Sequence, residues 1–339
     1  MAGSKITGYA ALQPGAVLTP FFYEPLPLKK NEVRIAITHC GLCGTDVQAI
    51  DDVYSVFKFP FMPGHEIVGY IKETGSEVQE NRIGERVGVG WQGRSCGQCE
   101  WCINGDVQLC METAENGSWT PYGGFSTSIT VQEDFAYTLP QEMPSEVAAV
   151  MMCAGFTVYS ALSRNYSASS KRIGIVGIGG LGHLAIQFAK AMGYEVTAIS
   201  SSLKKREEAI EMGAQRFLDV SDLKALEQMA YYFDLLYITA HGGFVWGEML
   251  EILRKRGKII LSAFPKIECG SVDLVSHELS IVGSFLGTQE EMREMLEFFV
   301  LHNVQPKIEL MPMSKVNQAI EKLRQNKAHY RIVLVNDIA

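Results

Sequence analysis

Residues 172–202 read RIGIVGIGGLGHLAIQFAKAMGYEVTAISSS, and this stretch decides the architecture of the second half of the chain. RIGIV is an apolar run of strand length. After Gly182 apolar residues recur at helical spacing until Gly193 closes the segment, and EVTAIS is a second strand run. Strand, helix and strand in about thirty residues make one βαβ unit. At its first turn Gly177, Gly179 and Gly182 form G-x-G-x-x-G, with Gly180 and Leu181 filling the loop. Glycines there allow a tight turn and a close backbone approach, so that a pyrophosphate can rest on the helix N-terminus. A glycine-rich turn that only packs a helix on a strand is the plainer alternative, and the strand before and helix after weigh against it.

Outward from this unit, FDLLYIT, a helix from Gly247 to Lys255, KIILSA and LSIVGS continue the alternation, which predicts a doubly wound parallel sheet and an α/β fold. Upstream, EVRIAIT, RVGVG and FSTSIT alternate with Gly and Pro turns, and no long helical period precedes Ser145; a β-rich domain fits. After Gly287 the chain reads as a helix in EEMREMLEFFVLHN, a second helix ending at Gln325 and a closing strand, RIVLV, and this tail is expected to return to the first domain.

The end of the second βαβ strand selects the dinucleotide. An NAD site usually carries Asp or Glu there to hold the ribose hydroxyls. This chain has SSSLKKREEA instead, where Ser200, Ser201 and Ser202 offer hydroxyls and Lys205 a cation, a set suited to a 2′-phosphate. NADP(H) is therefore expected. A solvated loop entering a charged helix is the alternative.

Eight cysteines fall into groups. Cys96, Cys99, Cys102 and Cys110, in SCGQCEWCINGDVQLC, are spaced so that one loop can wrap a tetrahedral zinc and leave no position open, a structural site. Cys43 in CGLCGTD, His65 and Glu66 in PGHE and Cys153 in MMCAG offer a two-thiolate, one-imidazole set that leaves a fourth position for water or substrate, the requirement of a catalytic zinc. Asp46 is placed to orient His65, with capping of a helix as its alternative role, and Glu66 is a spare oxygen ligand. Thr45 is the hydroxyl that would bond the reacting oxygen and pass its proton outwards, or else merely lines a first helical turn. Cys40 reads as a small buried residue rather than as half of a redox C-x-x-C. Phe57, Phe59, Trp91 and Trp119 would line an apolar pocket or belong to ordinary core.

With 339 residues, 47% of them apolar, and mean hydropathy near zero, the chain can bury two domains. A net charge of −8 and no Lys/Arg run longer than the three residues Lys204 to Arg206 argue against a nucleic-acid partner. The N-terminus lacks a leader pattern, and the best apolar run, Val147 to Tyr159, is too short to span a bilayer, so no membrane partner and a cytoplasmic location are expected. A disulfide framework belongs to short secreted domains, so metal thiolates account better for the cysteines.

Taken together, CGLCGTD, PGHEIVG, GERVGVG, SCGQCEWC, MMCAGFTVYSAL, GIVGIGGLGHLAIQFAKAMG, SSSLKKREEA and HYRIVLV resemble the zinc-containing medium-chain alcohol dehydrogenases, in their cinnamyl alcohol dehydrogenase-like branch, over nearly the full length. The resemblance implies a GroES-like catalytic domain over 1–153 that holds two zincs, a Rossmann domain over 154–287 for NADP(H), a return over 288–339, and a homodimer. It also implies a nicotinamide contact at Thr157. The implied activity is hydride transfer between NADP(H) and aliphatic or cinnamyl-type aldehydes and primary alcohols; a polyol or sugar dehydrogenase and a non-catalytic NADP(H) sensor are the other readings. Where the branch has histidines, this chain has Gly44 and Gln48, and glutamine at the end of a proton relay does not titrate near neutral pH.

Overall fold

The computed structural model describes residues 5–78, 82–112, 117 and 122–338, so Trp119 lies outside the described residues. The chain divides into two compact units. The first comprises Met1–Cys153, Thr288–Val300 and Pro306–Ala339; the second comprises Ala154–Gly287 and Leu301–Gln305. The tail is thus interrupted: Gln305 donates its N–H to Gln187 Oε1 at 2.8 Å and accepts from Gln187 Nε2 at 3.0 Å, which holds that short piece in the second unit.

In the first unit a hairpin, β1 (Ile6–Ala10) and β2 (Thr19–Tyr23), stands apart from a seven-stranded sheet. The sheet is built on β3 (Glu32–Leu42), whose Val33, Ile35 and Ile37 alternate into the core as a half-buried strand must. β4 (Glu66–Thr74) and β6 (Ser128–Gln132) pair with it antiparallel, and β5 (Arg86–Val89) and β7 (Tyr137–Thr138) extend the β4 side.

The second unit is a six-stranded, all-parallel sheet of β8 (Arg172–Val176), β9 (Glu195–Ser200), β10 (Arg216–Asp219), β11 (Phe233–Ile238), β12 (Leu253–Leu261) and β13 (Ser280–Gly283). Its spatial order, β10-β9-β8-β11-β12-β13, is the doubly wound pattern whose strand order reverses between β8 and β11. The helix expected over Gly247 to Lys255 spans Trp246–Glu251, and β12 starts at Leu253; within β12 Arg256 takes a left-handed φ of 65° and the β11–β12 register shifts, an irregular segment before KIIL.

The tail completes the first unit. β14 (Ile308–Pro312) pairs parallel with β15 (Arg331–Val335), and β15 lies antiparallel against β3, with Ile332 opposite Leu42 and Val335 opposite His39. The final strand is therefore central, and it is buried on both faces as RIVLV demands. Helix Ser145–Arg164 is continuous over 20 residues and apolar enough to cross a membrane by composition, longer than the run Val147 to Tyr159 suggests; 78% of that window is buried inside the protein, so it is a core helix. Its middle, Met151–Gly155, is one turn of π-helix.

Candidate active site

Cys43 caps the N-terminus of helix Gly44–Ile50, and Asp46 at the third helical position returns its side chain to the Cys43 N–H, a capping box. The Asp46 carboxylate is wholly buried and carries three donors: Cys43 N to Oδ2, and Gly64 N and His65 Nδ1 to Oδ1, each at 2.9 Å. Both sequence roles of Asp46 coexist in this geometry, since one oxygen closes the helix and the other fixes the tautomer and tilt of His65, whose ring also bonds Cys43. Cys153 arrives from the π-turn, a distortion that recurs at functional positions because it re-aims one side chain in an otherwise regular helix.

The ligand atoms of Cys43, His65, Glu66 and Cys153 lie within 4.8 Å of one another. Thr45 joins them: its Oγ1 is 3.6 Å from Cys43 Sγ. Gln48, one turn further along the helix, accepts from the Tyr54 hydroxyl at 3.3 Å. Cys40 is fully buried, with its sulfur on the Gly41 carbonyl at 3.6 Å, and takes no part in the cluster.

The groups of the cluster shift one another's titration. The Cys43 thiol falls well below its usual range, chiefly because Cys153 donates a hydrogen bond to it, while Cys153 rises well above its own. Burial would lower His65, but the Asp46 charge and hydrogen bond hold it well above its usual value. Glu66 is pushed up to about 7 by burial, against the pull of Arg331. Its Oε1 meets Arg331 Nη2, whereas Oε2 is buried with no hydrogen-bond partner and occupies the space a Cβ on Gly41 would need. An orphaned carboxylate oxygen among two thiols and an oriented imidazole fits zinc chemistry. Arg331 is the residue that sequence reasoning missed.

The second cluster gathers Cys96, Cys99, Cys102 and Cys110, again within 4.8 Å. Cys96 and Cys102 sulfurs are 3.8 Å apart and those of Cys99 and Cys102 3.5 Å. Tetrahedral zinc thiolates, at about 2.3 Å from the ion, stand about 3.8 Å from one another. Cys96 N donates to Cys110 Sγ and Cys99 N to Cys96 Sγ, both at 3.4 Å, as thiolate sulfurs require. Backbone donors at Met111 and Cys102 lower Cys99 to about 6, whereas burial and the surrounding thiols push Cys102 up to about 12. None of the eight cysteines forms a disulfide.

At the switch point of the parallel sheet, Gly177 takes φ 90° and packs on Ala240, and Thr239 Oγ1 donates to the Gly177 carbonyl at 2.7 Å. A Cβ on Gly182 would collide with the Gly177 carbonyl oxygen, while one on Gly179 meets nothing within 4 Å. The three glycines thus serve a left-handed turn, a close packing and an open approach respectively. Past β9, Ser200 Oγ accepts from Ser202 N at 3.2 Å, Ser201 is exposed, and half-buried Lys205 reaches back to the Ile178 carbonyl at 2.5 Å, its pKa lowered by burial. Lys205 therefore borders the glycine-rich loop, and the three serines lead to it from the end of β9. Thr157 lies on helix Phe156–Arg164, its carbonyl accepting from Ser160 Oγ at 3.4 Å.

Two thiol clusters and a dinucleotide crevice define a class, the zinc-binding oxidoreductases that act on alcohols. Residues 29–141 match the model of the Alcohol dehydrogenase GroES-like domain and residues 180–300 that of the Zinc-binding dehydrogenase. Cinnamyl alcohol dehydrogenase 2 of Rauvolfia serpentina is 35% identical over 97% of this chain and 94% of its own. A cinnamyl alcohol dehydrogenase structure from Sorghum bicolor superposes with a TM-score of 0.90 at 32% identity, over 98% of each chain, and CAD from Helicobacter pylori, solved with NADP(H), with 0.89 at 27%, over 98% of each. The chain belongs to the zinc-binding alcohol dehydrogenase family.

Two outcomes follow from these geometries. Cys99→Ser should lose about one zinc per chain, measured by metal analysis, and lower the Tm; a variant retaining full zinc and Tm would contradict the lobe as a metal site. Gly182→Ala should destabilise by about 1–3 kcal/mol, whereas Gly179→Ala should keep the Tm but weaken NADPH binding about tenfold, roughly 1.4 kcal/mol, in a fluorescence titration. Undiminished affinity in Gly179→Ala would remove the pyrophosphate from this loop.

Proposed function

We propose that the chain is an NADP(H)-dependent reductase of apolar, aliphatic or aromatic aldehydes, reversible as a primary-alcohol dehydrogenase. The observation that carries this reading is an aromatic group built from the same segments that carry Cys43, His65 and Cys153. Ala49, on the helix that Cys43 caps, packs with Phe61, and Phe57, Phe59 and Trp91 pack against them. Phe61 precedes His65 by four residues, and Trp91 follows Gly90, whose missing Cβ lets the chain lie against the Met152 carbonyl next to Cys153. Such a wall favours an apolar acyl chain and gives a polyol nothing to bond, which sets the sugar reading second.

Zinc, when bound by Cys43, His65 and Cys153, supplies a Lewis acid that eases loss of the hydroxyl proton from an alcohol and polarises an aldehyde carbonyl. NADP(H), when bound, accepts or supplies the hydride. The residues do the rest. Asp46 holds His65 in one tautomer, Thr45 offers a hydroxyl to the reacting oxygen, and Gln48, tied to Tyr54, ends the polar path. In oxidation Thr45 would take up the proton released from the alcohol hydroxyl and pass it outwards, and in reduction it would return one to the carbonyl oxygen. Ser200, Ser201, Ser202 and Lys205 support the choice of a 2′-phosphorylated dinucleotide. Thr157 is assigned to the nicotinamide end. The same reading makes the protein a cytoplasmic homodimer, consistent with thiols kept reduced for metal.

Absorbance loss at the reduced-nicotinamide band, followed with benzaldehyde, cinnamaldehyde and short aliphatic aldehydes, should proceed faster with NADPH than with NADH and stop on chelation. A zinc-loaded protein that reduces none of them would transfer the reading to polyols. Because Gln48 does not titrate, alcohol oxidation should need higher pH than reduction, and Gln48→His, which adds a group titrating near ~6.5, should extend the oxidation profile to lower pH. An unchanged pH–rate profile would exclude Gln48 from the proton path.

A further inference from the structure

The segment that joins helix Gly44–Ile50 to the aromatic wall is built around one residue. Asp52 takes a left-handed φ of 48°, a conformation in which Asp and Asn are tolerated far better than other side chains. Its Oδ1 accepts two backbone hydrogen bonds, from Val56 N at 2.9 Å and Phe57 N at 3.1 Å, and its carbonyl accepts from Ser55 N at 3.0 Å. Ser55 is left-handed too, with φ 55°. Asp52 N and Val53 N in turn donate to the carbonyls of Ala49 and Gln48, so the turn grows directly from the last turn of the helix. Asp51, beside it, is clamped by both Nη atoms of Arg324 at 2.6 Å.

This arrangement has two consequences for side chains. Phe57 emerges from the turn with its ring 4.9 Å from that of Phe61, tilted by 51°, a distance at which aromatic pairs attract. Tyr54 emerges at the tip, with its hydroxyl on Gln48. Val53, Tyr54 and Val56 are meanwhile among the exposed apolar side chains, an apolar lip held by backbone bonds rather than by burial.

We propose that Asp52 is a positioning residue for substrate selection: its carboxylate fixes the turn that presents Phe57 and the apolar lip to the acyl chain of the aldehyde. The assignment rests on the functional reading above. Asp52 touches neither substrate nor cluster. Its two accepted N–H bonds orient Phe57 in advance of binding, so that ordering this side of the pocket takes little from the affinity for an apolar substrate. A substrate too small to reach the wall gains nothing from it.

The test compares kcat/KM for cinnamaldehyde with that for acetaldehyde in the full-length, zinc-loaded protein. In Asp52→Ala the cinnamaldehyde to acetaldehyde ratio should fall about tenfold, through KM for cinnamaldehyde, because displacement of a positioned group by an ångström has effects of this order or larger. Asp52→Asn, which keeps a side-chain oxygen acceptor and tolerates the left-handed backbone, should restore the ratio. The KM for NADPH should track neither variant. A ratio unchanged in Asp52→Ala, or not restored in Asp52→Asn, overturns the assignment. Loss of turnover for both aldehydes in equal proportion would make Asp52 a general structural residue and overturn it as well. A wild-type protein that reduces neither aldehyde overturns the functional reading, and the assignment with it.

Discussion

The buried carboxylate of Asp46 is the constraint on which the active region depends. An isolated charge of this kind is too costly to bury, and it is tolerated because three N–H groups converge on it. Those donors come from the Cys43 cap and from the Gly64–His65 segment just ahead of β4, so a single side chain sets the separation of two ligand-bearing segments. Gly64 adopts φ 100° there, which lets its N–H and that of the following imidazole point the same way. Helix start, strand start and imidazole tautomer are consequences of one carboxylate.

A second buried charge explains why the chain must come back to its first unit. Glu66 opens β4 and Arg331 opens β15, and the two meet although 265 residues separate them. Each is nearly inaccessible to water, and breaking such a pair leaves an uncompensated charge in the core. Pairing of β15 with β3 delivers the arginine, and Gly41 in β3 leaves the space for the glutamate. The central sheet position of the last strand is therefore tied to the electrostatics of the cluster as well as to the hydrophobicity of RIVLV.

The α/β architecture was legible because it is written in local periods: strand runs, a helical repeat between glycines, and a fingerprint with its context. The thiols of the 96–110 lobe were legible for the same reason, since their spacing is short. Other features are products of tertiary assembly. No local pattern links Arg331 to Glu66, and nothing in the apolar run Val147 to Tyr159 marks the π-turn at Met151–Gly155. The aromatic wall is intermediate: Phe57, Phe59 and Trp91 were visible as candidates, yet their gathering around Ala49 and Phe61 depends on the turn at Asp52, which sequence reading passed over. The early end of the helix at Glu251 belongs here too, because no glycine or proline marks it in the sequence.

The two clusters differ in how they are held, and the difference matters for what each can tolerate. Cys96 to Cys110 lie within one short lobe whose sulfurs are organised by backbone N–H groups of neighbouring cysteines and little apolar packing; Ile103 and Met111 are each 73% exposed. The described residues of this lobe bury little apolar surface, so a cation held by its four sulfurs would be a main source of order. Cys43, His65 and Cys153 instead come from a capped helix, a loop before a strand and a π-turn, each fixed by hydrogen bonds that do not involve a metal. An ion there would add chemistry to a frame already built. In the closed lobe a metal would serve structure, whereas the open cluster would keep a ligand position available on a frame held by its own hydrogen bonds.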